Sequence, residues 1–99
     1  MLLQDIYEVR MKLELNEIDL RCLLISAIRY AMGRQTYMPM AIAEIIERNL
    51  EQCSENTLES LADEIRDYAI DEMSLRDTEL NIWLELRATI LKHLGERNE

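Results

Sequence analysis

Leu20-Arg21-Cys22-Leu23-Leu24-Ile25-Ser26-Ala27-Ile28-Arg29-Tyr30-Ala31-Met32-Gly33, residues 20–33, decides the fold class of this chain. Leu20, Leu23, Leu24, Ala27, Ile28 and Ala31 recur at the spacing of one face of an α-helix. Ile18, Cys22, Ile25 and Met32 widen that stripe until the segment is apolar nearly all round, which predicts a central, buried helix. Asn16 is placed to cap its start, and Glu17 and Asp19 suit the positive end of the helix dipole. Gly33 fits the left-handed position just past a helix end.

Working forward, Pro39 cannot continue a preceding helix but suits the first turn of a new one, and it pushes Met38 toward an extended conformation. Ile42, Ile45, Ile46 and Leu50 give the stripe of the next helix, which stops near Cys53. Ser54, or Asn56 with Glu59 as a capping box, starts another, with Leu58, Leu61, Ala62, Ile65, Ala69 and Met73 on its inner face. Ser74 with Asp77, or Asp77 alone, starts the last helix. Leu80, Trp83, Leu84, Ile90, Leu91 and Leu94 line it, Gly95 ends it, and residues 96–99 form a frayed tail. Working backward, Leu2, Leu3, Ile6 and Val9 suggest a short helix, and residues 9–15 alternate like an extended connection. The expected fold is all-α, a compact bundle of four main helices plus a short N-terminal helix or arm, in one domain over residues 1–99.

Composition agrees. The chain has 99 residues, 48% of them hydrophobic, with 2 glycines and 1 proline. Turns must therefore be few, and long helices with short links are the economical solution. No run of uncharged apolar residues is long enough for a transmembrane helix, and the start lacks a secretory pattern, so a cytoplasmic protein with no membrane contact is expected. Cys22 and Cys53 are too few for a disulfide framework and lack metal-ligand spacing, so both read as small buried hydrophobes. His93 is the only histidine. It reads as a residue near a helix C terminus, and Trp83 as a core or interface anchor.

The net charge of −9 is uneven. Residues 1–39 hold five acids and five bases and sum to zero; residues 40–99 hold the other fifteen acids and six bases. Direct nucleic-acid binding is disfavoured, because such a surface repels phosphates. No nucleotide, nucleophile-elbow or zinc pattern is present, and no acid stands three residues before His93. The chain therefore reads as non-enzymatic, with no cofactor and no metal.

Two stretches are candidate binding sites. The first is Arg29-Tyr30-Ala31-Met32-Gly33-Arg34-Gln35-Thr36-Tyr37-Met38-Pro39. Its plainer reading is a helix stop, loop and helix start, with the arginines stabilising C-terminal carbonyls and Tyr30 and Tyr37 packing over the loop. Its functional reading is that Arg29, Tyr30, Arg34, Thr36 and Tyr37 converge on a partner carboxylate or an anion, since arginine forks and tyrosines favour such contacts.

Through Arg29, Tyr30, Gly33, Arg34, Thr36, Tyr37 and Pro39, with the preceding helix, the chain resembles a group of small phage and prophage accessory proteins. The resemblance covers roughly a third of the sequence. It implies a bacterial or viral source and a short accessory protein. It assigns no activity to any residue.

The second stretch is acidic. Glu51, Glu55, Glu59, Asp63, Asp67 and Asp71 recur every four residues, and with Glu64 and Glu72 six acids fall between residues 59 and 72, over about 20 Å of helix. Glu59, Asp63, Asp67 and Asp71 lie on one slowly drifting face. The plainer reading is a solvated face that maintains solubility. The sharper one is a lure for a protein partner with a basic, nucleic-acid-binding surface. Alternatives are a small-anion or nucleotide sensor built on Arg29 and Arg34, and a homodimer in which the N-terminal segment packs across a second copy.

Overall fold

A computed structural model describes residues 16–34, 37–72 and 74–97. Among them every regular element is helical, and the fold is an all-α bundle of four helices. Helix α1 spans Glu17–Ala31, α2 Tyr37–Arg48 and α4 Asp77–Arg97. Helix α3 begins as an α-helix at Glu55–Glu64 and continues as a π-helix through Ile65–Glu72. A 3₁₀ turn, Leu50–Gln52, closes α2. The helices form a square: α1 packs on α2 and α3, and α4 packs on the same two from the other side. The expected N-terminal helix or arm, Met73 and Thr36 lie outside the described residues.

The core follows the predicted stripes. Leu24 and Ile28 of α1, Ile46 of α2, Leu58, Leu61 and Ile65 of α3, and Trp83 and Ile90 of α4 are fully buried in one cluster. The starts of α1 and α3 are capped by side chains. Asn16 accepts the amide of Asp19 at 2.8 Å, and Ser54 accepts that of Thr57 at 3.1 Å. Each satisfies one amide that a helix start leaves without an intrahelical partner. Ser54, not Asn56, is thus the cap of α3. The last helix starts at Asp77, one of the two expected starts, and Leu80 N–H bonds the Arg76 carbonyl.

Four further expectations are corrected. Helix α1 is not buried all round: Ile18 is 64% exposed and Cys22 is also on the surface, while Cys53 alone of the cysteines is buried. Among the described residues α1 packs mainly on α2 and α3, and these exposed side chains lie on the side away from both. Met38 is helical, because α2 begins at Tyr37 and places Pro39 in the first turn, where its missing amide costs nothing. On α4, Leu84 and Leu91 are exposed, and Glu79 and Leu86 are buried with Trp83, Ile90 and Leu94. That helix carries two overlapping apolar stripes, and packing selects the one that includes Trp83.

Gly95 does not end α4, which runs on to Arg97. The extension is held from outside: the Arg97 guanidinium donates to the carbonyls of Cys53 at 2.6 Å and Leu50 at 2.9 Å. These carbonyls belong to the turn that closes α2 and to the residue that follows it; the Leu50 carbonyl also accepts the Cys53 amide at 3.1 Å. A side chain at Gly95 would meet nothing within 4 Å. Gly95→Ala is therefore expected to stabilise the protein by about 0.5–1 kcal/mol, the helical cost of glycine. A rise in thermal midpoint checks it.

Candidate functional site

The motif at residues 29–39 forms the corner between α1 and α2. Gly33 has φ 77°, the left-handed turn expected of it. Its amide donates at 2.8 Å to Oε2 of Glu79, and the indole Nε1 of Trp83 donates to the same oxygen at 3.0 Å. The corner is thus fastened to the first turn of α4 by a carboxylate that is only 7% exposed.

The two arginines of the motif do not converge. Arg29 points toward α3, where Nε and Nη2 reach Oε2 and Oε1 of Glu64 at 2.5 and 3.2 Å, and its guanidinium lies 4.8 Å from the centre of the Tyr68 ring. The hydrogen bond to Glu64 and then the charge of that carboxylate raise the Arg29 pKa above its ordinary value; Tyr68 adds a little and desolvation opposes. A raised pKa makes this contribution complete below the ordinary arginine value and lost only above the folded one. Arg29 therefore stays charged across the working range of proteins. Arg34 folds back instead. Its Nε donates to the Tyr30 carbonyl at 2.6 Å, and its guanidinium covers the Tyr30 ring at 4.1 Å. A cation on the last carbonyls of α1 suits the helix dipole. Tyr30, Gly33, Arg34, Tyr37 and Met38 line a shallow depression of about 440 Å³, with Tyr30 55% and Tyr37 64% exposed.

The acidic series is divided by packing. Glu59, Asp63, Asp67 and Asp71 are all exposed on the outer face of α3. Glu64, counted with them in the sequence, turns inward, is 8% exposed and is taken by Arg29. Arg66 stands within the outer row and bridges Asp63 at 3.4 Å and Asp67 at 3.1 Å. Its pKa is raised by the hydrogen bond and charge of Asp67, then by Asp63 and, last, by Asp71. Of the outer row, Glu59 and Asp71 carry no ion pair among the described residues.

The π-helix keeps this row straight. Four residues overshoot an α turn by about 40°. In a π segment each bond closes over five residues, so a turn holds more than four and the drift reverses. Asp63, Asp67 and Asp71 thereby stay near one line while Ile65 and Ala69 stay buried on the opposite side. At the change of winding the Ile65 amide is shared between the carbonyls of Leu61 and Ala62. Arg87 of α4 donates to the Ala62 carbonyl at 3.2 Å.

Sequence reasoning missed Glu64, Tyr68, Glu79 and Arg97 as partners. Signals for two of them existed. Glu64 falls at helical spacing from Thr57 and Leu61, and Glu79 falls four residues before Trp83 on the inner stripe. An acid on an apolar face calls for a donor. No three His, Cys, Asp or Glu side chains are grouped to hold a metal ion among the described residues, and no described helix is long and apolar enough to cross a membrane.

No protein-family model matches the chain, and neither does any curated protein or solved structure.

Proposed function

We propose that this is a small, non-enzymatic phage or bacterial accessory protein that acts in the cytoplasm by binding another protein through the outer face of α3. The partner presents a basic surface, of the kind that otherwise holds nucleic acid. The observation that carries the reading is the row Glu59, Asp63, Asp67 and Asp71, exposed together on one face of a helix. Two of these acids, Asp67 and Asp71, fall on the π segment, and π segments recur at functional sites. Arg66 neutralises part of the row, which leaves about three net negative charges over about three turns. The motif at residues 29–39 supports the accessory-protein reading through its resemblance to phage and prophage proteins. A small-anion sensor would rest on Arg34 alone, since Arg29 is held by Glu64.

Affinity capture from the host, followed by binding measurements on the isolated pair, tests the proposal. Reversing Asp63, Asp67 and Asp71 to lysine is expected to weaken the complex about tenfold, and raising the salt severalfold to weaken it similarly, as for charge-steered association. Binding that ignores both salt and the reversal removes this reading. A thermal shift with phosphate or nucleotides that Arg34→Ala abolishes would favour the anion-sensor alternative.

A further inference from the structure

We infer that the valley between α2 and α4 is a second docking surface, built for a basic amphipathic helix of a partner protein. This surface goes beyond the reading of α3 and does not depend on it. Met40 and Ala43 of α2 face Ile82 and Leu86 of α4 across a depression of about 370 Å³, whose border carries Glu44, Glu47 and Glu85. Met40 is 56% exposed, an unusual amount for a long apolar side chain set between two helices.

Charge complementarity identifies the occupant. All three charged side chains of the valley are carboxylates. Glu44 is paired with Arg48 one turn along α2. Glu47 and Glu85, on opposite walls, have no ion pair among the described residues. An acidic border around an apolar floor matches a helix with a narrow apolar stripe flanked by lysine or arginine. Met40, Ala43, Glu44 and Glu47 present the i, i+3, i+4, i+7 register in which one helix meets another. That register covers about 10 Å of α2, room for two turns of a visiting helix. A membrane surface fits less well, because anionic headgroups would face three carboxylates. The outer face of α3 lacks this combination: its row of acids has Arg66 among them and no apolar floor.

The test uses the full-length protein and a fluorescein-labelled peptide of about 14 residues, roughly four helical turns, with leucines on one stripe and lysines beside them. Fluorescence anisotropy measures affinity, and amide chemical-shift mapping locates the peptide. Binding is expected to shift Met40, Ala43, Glu47, Ile82, Glu85 and Thr89 and to weaken about tenfold in Glu47→Lys/Glu85→Lys. The same peptide with its leucines replaced by serine should bind at least about tenfold more weakly, since the floor would go uncovered. Met40→Arg should block binding by filling the valley, and circular dichroism confirms that each variant folds. The Asp63, Asp67 and Asp71 reversal should leave affinity within about twofold, so this proposal and the one for α3 fail separately. Shifts confined to α3, equal binding by the serine peptide, or no binding would overturn the inference. So would a dimer in light scattering that Met40→Arg dissolves, which would make the occupant a second copy of this chain.

Discussion

Glu79→Ala is expected to destabilise the protein by about 3 kcal/mol, roughly a fifth to three-fifths of the stability of a domain this size. One carboxylate oxygen accepts both the Gly33 amide and the Trp83 indole. Hydrogen bonds to an ionised acceptor contribute about 1.5–3 kcal/mol each, and a buried donor left without a partner costs about 1–3 kcal/mol. Trp83 is fully buried, so its N–H would lose all solvation, whereas water can reach Gly33. That difference sets the total nearer 3 than 6 kcal/mol. Glu79 also occupies the first turn of α4, where negative charge is favoured by the dipole. Glu79→Gln retains an acceptor oxygen and should cost about 1 kcal/mol. Trp83 is the only tryptophan, so its fluorescence reports this junction directly, with circular dichroism as the independent probe of unfolding. A loss under about 1 kcal/mol for the alanine variant would mean that the corner between α1 and α2 is held by other contacts.

Arg97→Ala is expected to cost about 2 kcal/mol, far more than a surface substitution ordinarily does. Its guanidinium reaches the carbonyls of Cys53, Leu50 and Glu51 at 2.6, 2.9 and 3.4 Å. These groups end α2 and precede the cap of α3, so a single side chain ties the C-terminal turn of α4 to the α2–α3 link. Arg97→Lys keeps the charge but loses the planar fork, and should recover less than half of the loss. Hydrogen exchange offers a second readout: amides of the Leu50–Gln52 turn should exchange faster in the alanine variant while α1 is little changed. Equal exchange in both would show that the turn is closed without Arg97.

The helices were legible because their signals are local. The cap at Asn16, the stop at Gly33 and the stripe through Leu20, Leu24, Ile28 and Ala31 each depend on residues within one or two turns, and all appear in the structure; Leu23, expected in the same stripe, is exposed. The roles of the charged residues were not legible to the same degree. Arg29 and Glu64 are 35 positions apart, Gly33 and Glu79 46, and Arg97 and Leu50 47. Nothing in helical periodicity says which cation will meet which carboxylate. The motif at residues 29–39 shows the consequence. Its composition suggested two arginines gathered on one ligand, yet Arg29 completes the packing of α1 on α3 and Arg34 closes the end of α1.

The acidic series shows the same division. Its four-residue period was readable, and so was a shared face for Glu59, Asp63, Asp67 and Asp71. That Glu64 meets Arg29 and the Ala62 carbonyl meets Arg87 was not readable, because both arginines arrive from neighbouring helices. The valley between α2 and α4 had no signature at all, because Met40 and Glu47 acquire Ile82 and Glu85 as neighbours only when the helices dock.

By itself the sequence determined four helices, most of their buried faces and a lopsided charge, since these arise from interactions within a turn or two of chain. The tertiary structure alone decided which carboxylates are spent on internal contacts and which face solvent. Burial, ion pairing and surface shape come from groups that the chain brings together across dozens of residues, and only the packed bundle specifies them.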